Sequence, residues 1–525
     1  MRLKSWSVGL CVIAVILAAV PASHAIPPFS RQYGTSCSTC HIDFPKLNDF
    51  GKAFKDAGFK FPKDDETFLK IPPVMLGAPA QKDMWPHTIF PGTIPGAIPI
   101  GLRFNQFFEV TSQNANNYNQ AALNSGPLSP YVPRTDFQPG FFSIFTAGNF
   151  GSDIAFWVDD DISVSGKNSN GGLGDAYLRF VNVGRYFKLP TDALTVKVGQ
   201  FELDLPFTQA RAYDISPFDI YSQANIGAVN PAYPQTFVNN SFTLAGPGRG
   251  IEISGGHHYG GYRYAIAVVD QDTSGTAPTT YPYVPSGTGG SGGGVGFFSD
   301  SNFKDLYGRF AYRFNLERDP ASRHEVQAAS ATGPRDHTYL TLGTYYFYGR
   351  SVQRTPGLLP DGITPTVLLA REPFYRLGGD FDFNYRQFNI YGLYMYGHDK
   401  DIVPFIPAEE TLPTGLISGP SATFSGGFIQ ADYMAYPWLM MIMRWDRVQS
   451  TADFLNQAGS TNFFSPVGTT RNRFTPGAQF LIHANIKASF EYQIRPRQAL
   501  TYDSNGQAVS PFRTNTATGA LEFVY

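Results

Sequence analysis

Ile486-Lys-Ala-Ser-Phe-Glu-Tyr-Gln-Ile-Arg495 divides into two sets of side chains. Ile486, Ala488, Phe490, Tyr492 and Ile494 are apolar, and Lys487, Ser489, Glu491, Gln493 and Arg495 are polar. Successive side chains of an extended strand project to opposite faces, so this period of two gives one apolar and one polar face. Tyr375, Leu377, Gly379, Phe381 and Phe383 alternate in the same way with Arg376, Gly378, Asp380 and Asp382. Leu194, Val196 and Val198 alternate with Thr195, Lys197 and Gly199. A water-soluble sandwich would also alternate, so composition and spacing must decide between the two.

Composition points to an all-β chain in an unusual solvent. Aromatic residues make up 15% of the 525, with 45 Phe and 29 Tyr, and only 16% are charged, against about 25% in ordinary soluble domains. The 53 Gly and 40 Pro supply many turns. A formal net charge of −2, with no basic run, gives no face for nucleic acid. Beyond the first 25 residues no stretch approaches the 18 consecutive apolar residues of a spanning helix.

From residue 98 onward the chain divides into about sixteen segments of roughly ten residues, the length and even number of a transmembrane barrel. The connections near 113–137, 205–246, 271–302, 350–371, 399–421, 450–471 and 496–514 are long and polar. Those near 149–152, 258–260, 385–387, 435–437 and 484–486 are short. Long external loops and short periplasmic turns are the barrel pattern, and an even count returns both termini to the periplasm. The link near 315–336 breaks it, being long and charged where a short turn is expected; either a strand pair is miscounted there or the chain makes a periplasmic excursion. The ending Leu521-Glu-Phe-Val-Tyr525 resembles the C-terminal strand that outer-membrane barrels present for assembly. Tyr436, Trp438 and Trp445 are candidates for an interfacial aromatic girdle.

The N-terminus sets the compartment. Arg2 and Lys4 precede an apolar run from Val8 to Val20, and Ser23-His24-Ala25 supplies small residues for cleavage. This reads as a secretory signal peptide, which takes Cys11 with it. Cys37 and Cys40 remain, in Cys37-Ser-Thr-Cys40-His41, the pattern of c-type haem attachment. Each thiol adds to one porphyrin vinyl, and the adjacent His41 binds iron from below. A disulfide or redox dithiol does not require the histidine, and a zinc site lacks its second cysteine pair. Pro45 is expected to open a helix whose face Leu47, Phe50, Phe54 and Ala57 covers the haem or packs on protein, with Gly58 as its stop. The distal iron ligand is open among Met75, Met84, His87 and none, with Met75 the leading candidate; a Met ligand raises the haem potential relative to His.

Ile26-Pro-Pro-Phe-Ser-Arg-Gln-Tyr-Gly34, the Cys37–His41 motif, and the following pattern of Phe44, Pro45, Leu47, Phe50, Gly51, Phe54, Lys55, Gly58 and Phe59 resemble the N-terminus of the fused monohaem cytochrome c–porins of the bacterial outer membrane. That group includes outer-membrane iron oxidases. Val198-Gly-Gln-Phe201 with Leu205-Pro-Phe207 resembles a strand–loop junction of phosphate-selective porins. The resemblance implies one covalent haem c in or under a sixteen-stranded barrel. It also implies Fe(II) oxidation at the cell surface and delivery of electrons to periplasmic c-type cytochromes. The division expected is a signal peptide over 1–25, a monohaem cytochrome c domain and connector over 26–97, and a porin-like barrel over 98–525.

Three functions compete. An electron conduit, an Fe(II):cytochrome oxidoreductase or its outward-running equivalent, carries charge across an insulating bilayer of about 30 Å. Dissolved Fe(II) entering a polar lumen suits that reading better than a mineral. A solute porin would use the haem as plug or sensor. A haem enzyme such as a peroxidase needs an open iron position. Asp159-Asp160-Asp161 could draw cations into the lumen, but such a run is usually a solvated strand end; His257 and His258 read as surface residues beside a turn.

Overall fold

The polar half of each alternating segment turns inward. The structure is a computed structural model describing residues 28–525, apart from 63–64, 87, 89–90, 97–98, 112–134, 164–171, 208–213, 217, 223–226, 230–236, 240–243, 245–246, 258, 271–302, 317–337, 401, 406, 408–411, 419–420, 451–469, 495–500, 503–507 and 510–514. The signal peptide with Cys11, together with His87 and His258, therefore lies outside the described residues. Sixteen antiparallel strands close into a barrel. They are β1 Ile100–Thr111, β2 Thr135–Phe150, β3 Ile154–Ser163, β4 Gly172–Phe180, β5 Thr195–Phe201, β6 Gly248–His257, β7 Gly260–Asp270 and β8 Asp305–Asn315. The circuit continues through β9 Tyr339–Leu358, β10 Pro365–Tyr385, β11 Phe388–Asp399, β12 Ala422–Tyr436, β13 Leu439–Ser450, β14 Thr470–His483, β15 Ile486–Gln493 and β16 Thr516–Val524. Strand β16 pairs with β1, and Tyr525 and Leu102 exchange backbone hydrogen bonds of 2.8 and 2.9 Å at the seam. Closure pairs the edges, which hydrocarbon requires because it offers no hydrogen bonds.

In β15, Lys487, Ser489, Glu491 and Gln493 are buried, while Phe490 and Tyr492 are 55% and 42% exposed. In β13, Arg444 and Asp446 are buried between the outward Met443 and Trp445. A soluble sandwich would bury the apolar set. Burying the polar set and exposing the apolar one suits a lipid surround. The exposed pair Tyr436 and Trp438 stack 5.3 Å apart at the β12–β13 turn, the girdle position. Trp445 sits further along β13, on the same outer face.

The short links close at 151–153, 258–259, 386–387, 437–438 and 484–485, all at one end, which we call the short-turn mouth. The link from β8 to β9 leaves and returns at this mouth, where Leu316 N–H donates to the Thr338 carbonyl at 2.8 Å. The described sixteen strands close the ring without a contribution from this link, whose residues 317–337 lie outside the described residues.

The lumen is filled at two levels. The N-terminal segment Pro28–Phe61, here the plug, occupies the short-turn mouth. Above it the described residues of the segment Glu202–Ser222, between β5 and β6, fold inward rather than outward as an external loop. Phe218 stacks on Phe428 of β12 at 3.9 Å, and Leu203, Leu205, Phe218 and Ile220 are buried with Tyr307, Phe347 and Phe374 from the wall. Polar groups anchor it on strands β13 and β15: Glu491 accepts from the Ile215 and Ser216 N–H groups at 2.7 and 3.0 Å, and Arg444 bonds the Ser216 carbonyl at 3.1 Å and Asp446 at 3.0 Å. Charges this deep are tolerated only when paired, and Arg473 completes the set through Asp446 and Asp219.

Candidate cofactor-binding site

The site is built from a turn and the helix that follows it. Cys37–Thr39 form one turn of 3-10 helix, closed by the Cys40 N–H on the Cys37 carbonyl at 3.2 Å. His41–Asp43 then pairs with Lys46–Leu47 in a small hairpin, and Pro45 occupies its turn. The helix accordingly opens later than the sequence suggested, at Asp49, with Asn48 as its cap. A proline at a first helical position and a proline in a turn leave the same trace in sequence, and here the hairpin takes it. Gly58, at φ +79°, is the helix stop as expected, with its N–H on the Lys55 carbonyl.

Asn48 joins helix to motif. Its Oδ1 accepts from the Gly51 N–H at 2.8 Å, while its amide nitrogen donates to the carbonyls of Thr39 and Ser38 at 3.0 and 3.3 Å. Its backbone N–H donates to the Cys40 carbonyl at 2.9 Å. Gly51 allows the close approach, since a Cβ there would lie 2.1 Å from the Cys40 oxygen. Sequence reading passed over Asn48; the Asn-Asp pair before an apolar helical run was the available signal. Of the helix face, Phe54 is buried and packs edge-on against Phe29 and Tyr33, with Phe59 and Phe61 adjoining. That face therefore packs on protein.

Cys37 and Cys40 are half-buried and are not joined to each other in a disulfide. Burial pushes both up from the ordinary thiol value, Cys40 to about 12. A redox dithiol needs the opposite shift. Burial also pushes the His41 imidazole down to about 4, so it stays neutral, the form that binds metal. Its Nδ1 is enclosed without a hydrogen-bond partner. Two cysteines one turn apart, followed directly by an imidazole with an orphaned nitrogen, fit covalent haem attachment.

The wall grips the plug on all sides. Asp49, at the helix N-terminus, takes both guanidinium nitrogens of Arg313 at 2.8 and 2.6 Å. At the other end Arg179 donates to the Lys55 carbonyl at 2.6 Å, and Asp56 lies 3.5 Å from Arg179 and 3.7 Å from Arg263. An acid at the start of a helix and a cation at its end both complement its dipole. Lys46 bonds Asn389 at 3.1 Å, faces Asp432 at 3.6 Å and lies over the Tyr391 ring. Lys487 donates to the Phe44 carbonyl at 2.7 Å and pairs with Glu522 at 3.3 Å. Two wall residues also touch the segment above: Arg263 bonds Asp204 at 2.9 Å, and Tyr391 packs on Phe207 at 4.6 Å.

The other candidate residues are dispersed. Met75 is half-buried in the two-residue strand Val74–Met75, paired with Thr93–Ile94, and Met84 is 66% exposed. Asp159 accepts from the Asp175 N–H and Asp161 from the Ser143 hydroxyl. Among the described residues no three His, Cys, Asp or Glu side chains are grouped to hold a metal ion. His257 lies 4.0 Å from Asp192 beside the β6–β7 turn.

No protein-family model matches the chain, and no curated protein matches its sequence. Among solved structures, OmpF of Salmonella typhi in complex with daunomycin aligns at TM-score 0.44 and 10% identity, over 82% of this chain and 98% of that one. An anion-selective porin from Comamonas acidovorans aligns at 0.42 and 11%, over 81% and 98%. OprB of Pseudomonas putida aligns at 0.41 and 10%, over 81% and 94%. These likenesses are weak, and the barrel assignment rests on the strand pairing of this chain alone.

Proposed function

We propose that the protein is a bacterial outer-membrane electron conduit. Its one covalent haem c is attached at Cys37 and Cys40, with His41 as proximal ligand. It oxidises dissolved Fe(II) at the cell surface and passes the electrons to a periplasmic c-type cytochrome. One observation carries the reading: the attachment turn belongs to a plug clamped inside the short-turn mouth of a closed barrel whose wall faces lipid. In a barrel of this kind the short turns belong on the periplasmic side.

The interior favours electrons over solutes. Many inward residues on ten of the strands are almost without solvent contact, among them Ala155, Phe201, Glu252, Ala265, Tyr307, Phe347, Arg376, Gln430, Asp446 and Lys487. Packed protein transmits an electron and stops an ion. This alters one part of the sequence argument: Fe(II) is better placed to react where the protein meets water than to travel down the lumen. The haem supplies the one-electron chemistry. The chain supplies the neutral His41, the buried thiols and the fixed position. Met75 is the proposed distal ligand, and its side of the short strand is the half-buried one.

The test is a redox titration of purified protein in proteoliposomes, followed by Fe(II) added outside. Reduction of a six-coordinate haem and no stepwise conductance in planar bilayers are expected. A haem spectrum unmoved by Fe(II) at every pH tried overturns the iron assignment. Solute conductance in the absence of any redox response favours the porin, and peroxide turnover by a five-coordinate haem favours the enzyme.

A further inference from the structure

The segment between plug and barrel does not stay in the lumen. After Phe61 the chain forms a short helix at Asp65–Phe68, the strand Val74–Met75, a helix at Pro79–Met84 and the returning strand Thr93–Ile94, before β1 begins at Ile100. Pro95 shows where this connector lies. A Cβ built on Gly148 of β2 would meet the Pro95 ring at 2.9 Å and the Phe156 ring at 3.1 Å. Gly148 and Phe156 both face outward, because their neighbours Ala147 and Ala155 pack on Tyr33 and Phe54 of the plug inside. The connector therefore leaves the plug at Lys70, which donates its N–H to the Gln32 carbonyl, and crosses the rim so that Pro95 rests on the outer wall at the β2–β3 end of the mouth.

Its free surface is apolar. Val74 is 52% exposed, Leu76 59%, Met84 66% and Trp85 56%, and Val74 and Leu76 flank the half-buried Met75 on the opposite side of their strand. At the same end of the barrel, the link after β4 leaves Tyr186 and Phe187 exposed, fixed by Arg185 to Asp153 of the β2–β3 turn at 2.8 Å twice. The patch continues the lipid-facing wall, since Phe150 stacks on Phe156 at 4.6 Å directly beneath Pro95. Aromatic and long apolar side chains mixed with Lys70, Lys82, Arg185 and Lys188 are the make-up of a segment lying at a headgroup boundary.

We infer that the connector is a membrane-interface apron. Val74, Leu76, Met84 and Trp85 rest in the phospholipid leaflet on the short-turn side and brace the plug's exit against the bilayer. The inference rests on the membrane placement in the proposed function and is independent of the haem.

The test uses the full chain in liposomes with phospholipid carrying a diazirine close to the headgroup, and mass spectrometry to map the adducts. Adducts are expected on the connector between residues 71 and 94 as well as on the ends of the barrel strands. Leu76→Glu combined with Trp85→Glu should abolish connector adducts and leave the strand adducts and heat-modifiable gel mobility unchanged. Adducts on the strands with none on the wild-type connector overturn the apron, and the patch then faces water or a protein partner. Absence of adducts on both overturns the membrane placement itself. If the double variant does not assemble, the wild-type adduct map alone decides.

Discussion

The plug and the inward segment Glu202–Ser222 fill one lumen by opposite means. The plug has a small core of its own, with Phe29, Tyr33, Phe54, Phe59 and Phe61 meeting one another, and charge pairs fasten its helix ends to the wall. Among its described residues the inward segment leans on the wall instead: Leu203, Leu205, Phe218 and Ile220 are buried in one cluster with wall residues such as Tyr307, Phe347 and Phe428. The difference separates a small module seated in the barrel from a piece of the barrel's own interior. Of the two, only the module carries cysteines.

The largest expected effect breaks the comparison at the plug. Cys37→Ala with Cys40→Ala should remove all covalent haem, seen as loss of haem staining on denaturing gels, while the barrel keeps its heat-modifiable mobility. A barrel that fails to assemble without the cysteines would show that plug and barrel are not separable. The next effect falls on the other segment. Arg444→Ala removes the cation that Asp214 and Asp446 share, leaving Asp446 to Arg473 and Asp214 to the Gln430 amide, and removing one partner of a buried pair costs about 3–5 kcal/mol. Urea unfolding in liposomes should register that loss with haem staining unchanged. Arg313→Ala is milder, because Asp49 keeps partial contact with water and Lys52 at 3.5 Å; losing charge-assisted bonds of this sort costs about 1.5–3 kcal/mol. Faster hydrogen exchange should then be confined to the plug.

The sequence made the wall legible and left the contents of the lumen hidden. Alternation is local, so the pattern of Ile486–Arg495 could be read without knowing any partner strand, and composition identified the solvent. The turn proposed for haem attachment could be singled out for the same reason, since five adjacent residues define its motif. What grips that turn was not, because Asp49 and Arg313 are 264 positions apart and nothing in either neighbourhood names the other. The inward course of Glu202–Ser222 had left a trace: Leu203, Leu205, Phe218, Ile220 and Tyr221 are too apolar for a loop in water, but the expected long external loop absorbed them. Pro45 misled because a residue that fixes φ suits a turn as well as a helix start.

Asn48 sharpens the comparison at its finest scale, because its two functions in the plug can be separated. The carboxamide oxygen caps the helix and the carboxamide nitrogen holds the Ser38 and Thr39 carbonyls. Asn48→Asp keeps the capping oxygen and loses both donors, whereas Asn48→Ala loses everything. Loss of the cap alone costs about 1 kcal/mol, so Ala should loosen the helix and Asp should not. If the nitrogen fixes the attachment turn, both substitutions should broaden the haem absorption bands and shift the redox midpoint, with the helix intact in the Asp variant. Identical spectra for wild type and Asn48→Asp would mean that the Gly51 contact with Cys40, with the backbone bond from Asn48, is enough to hold the turn. The module's geometry would then come from its backbone, just as the inward segment takes its geometry from the wall.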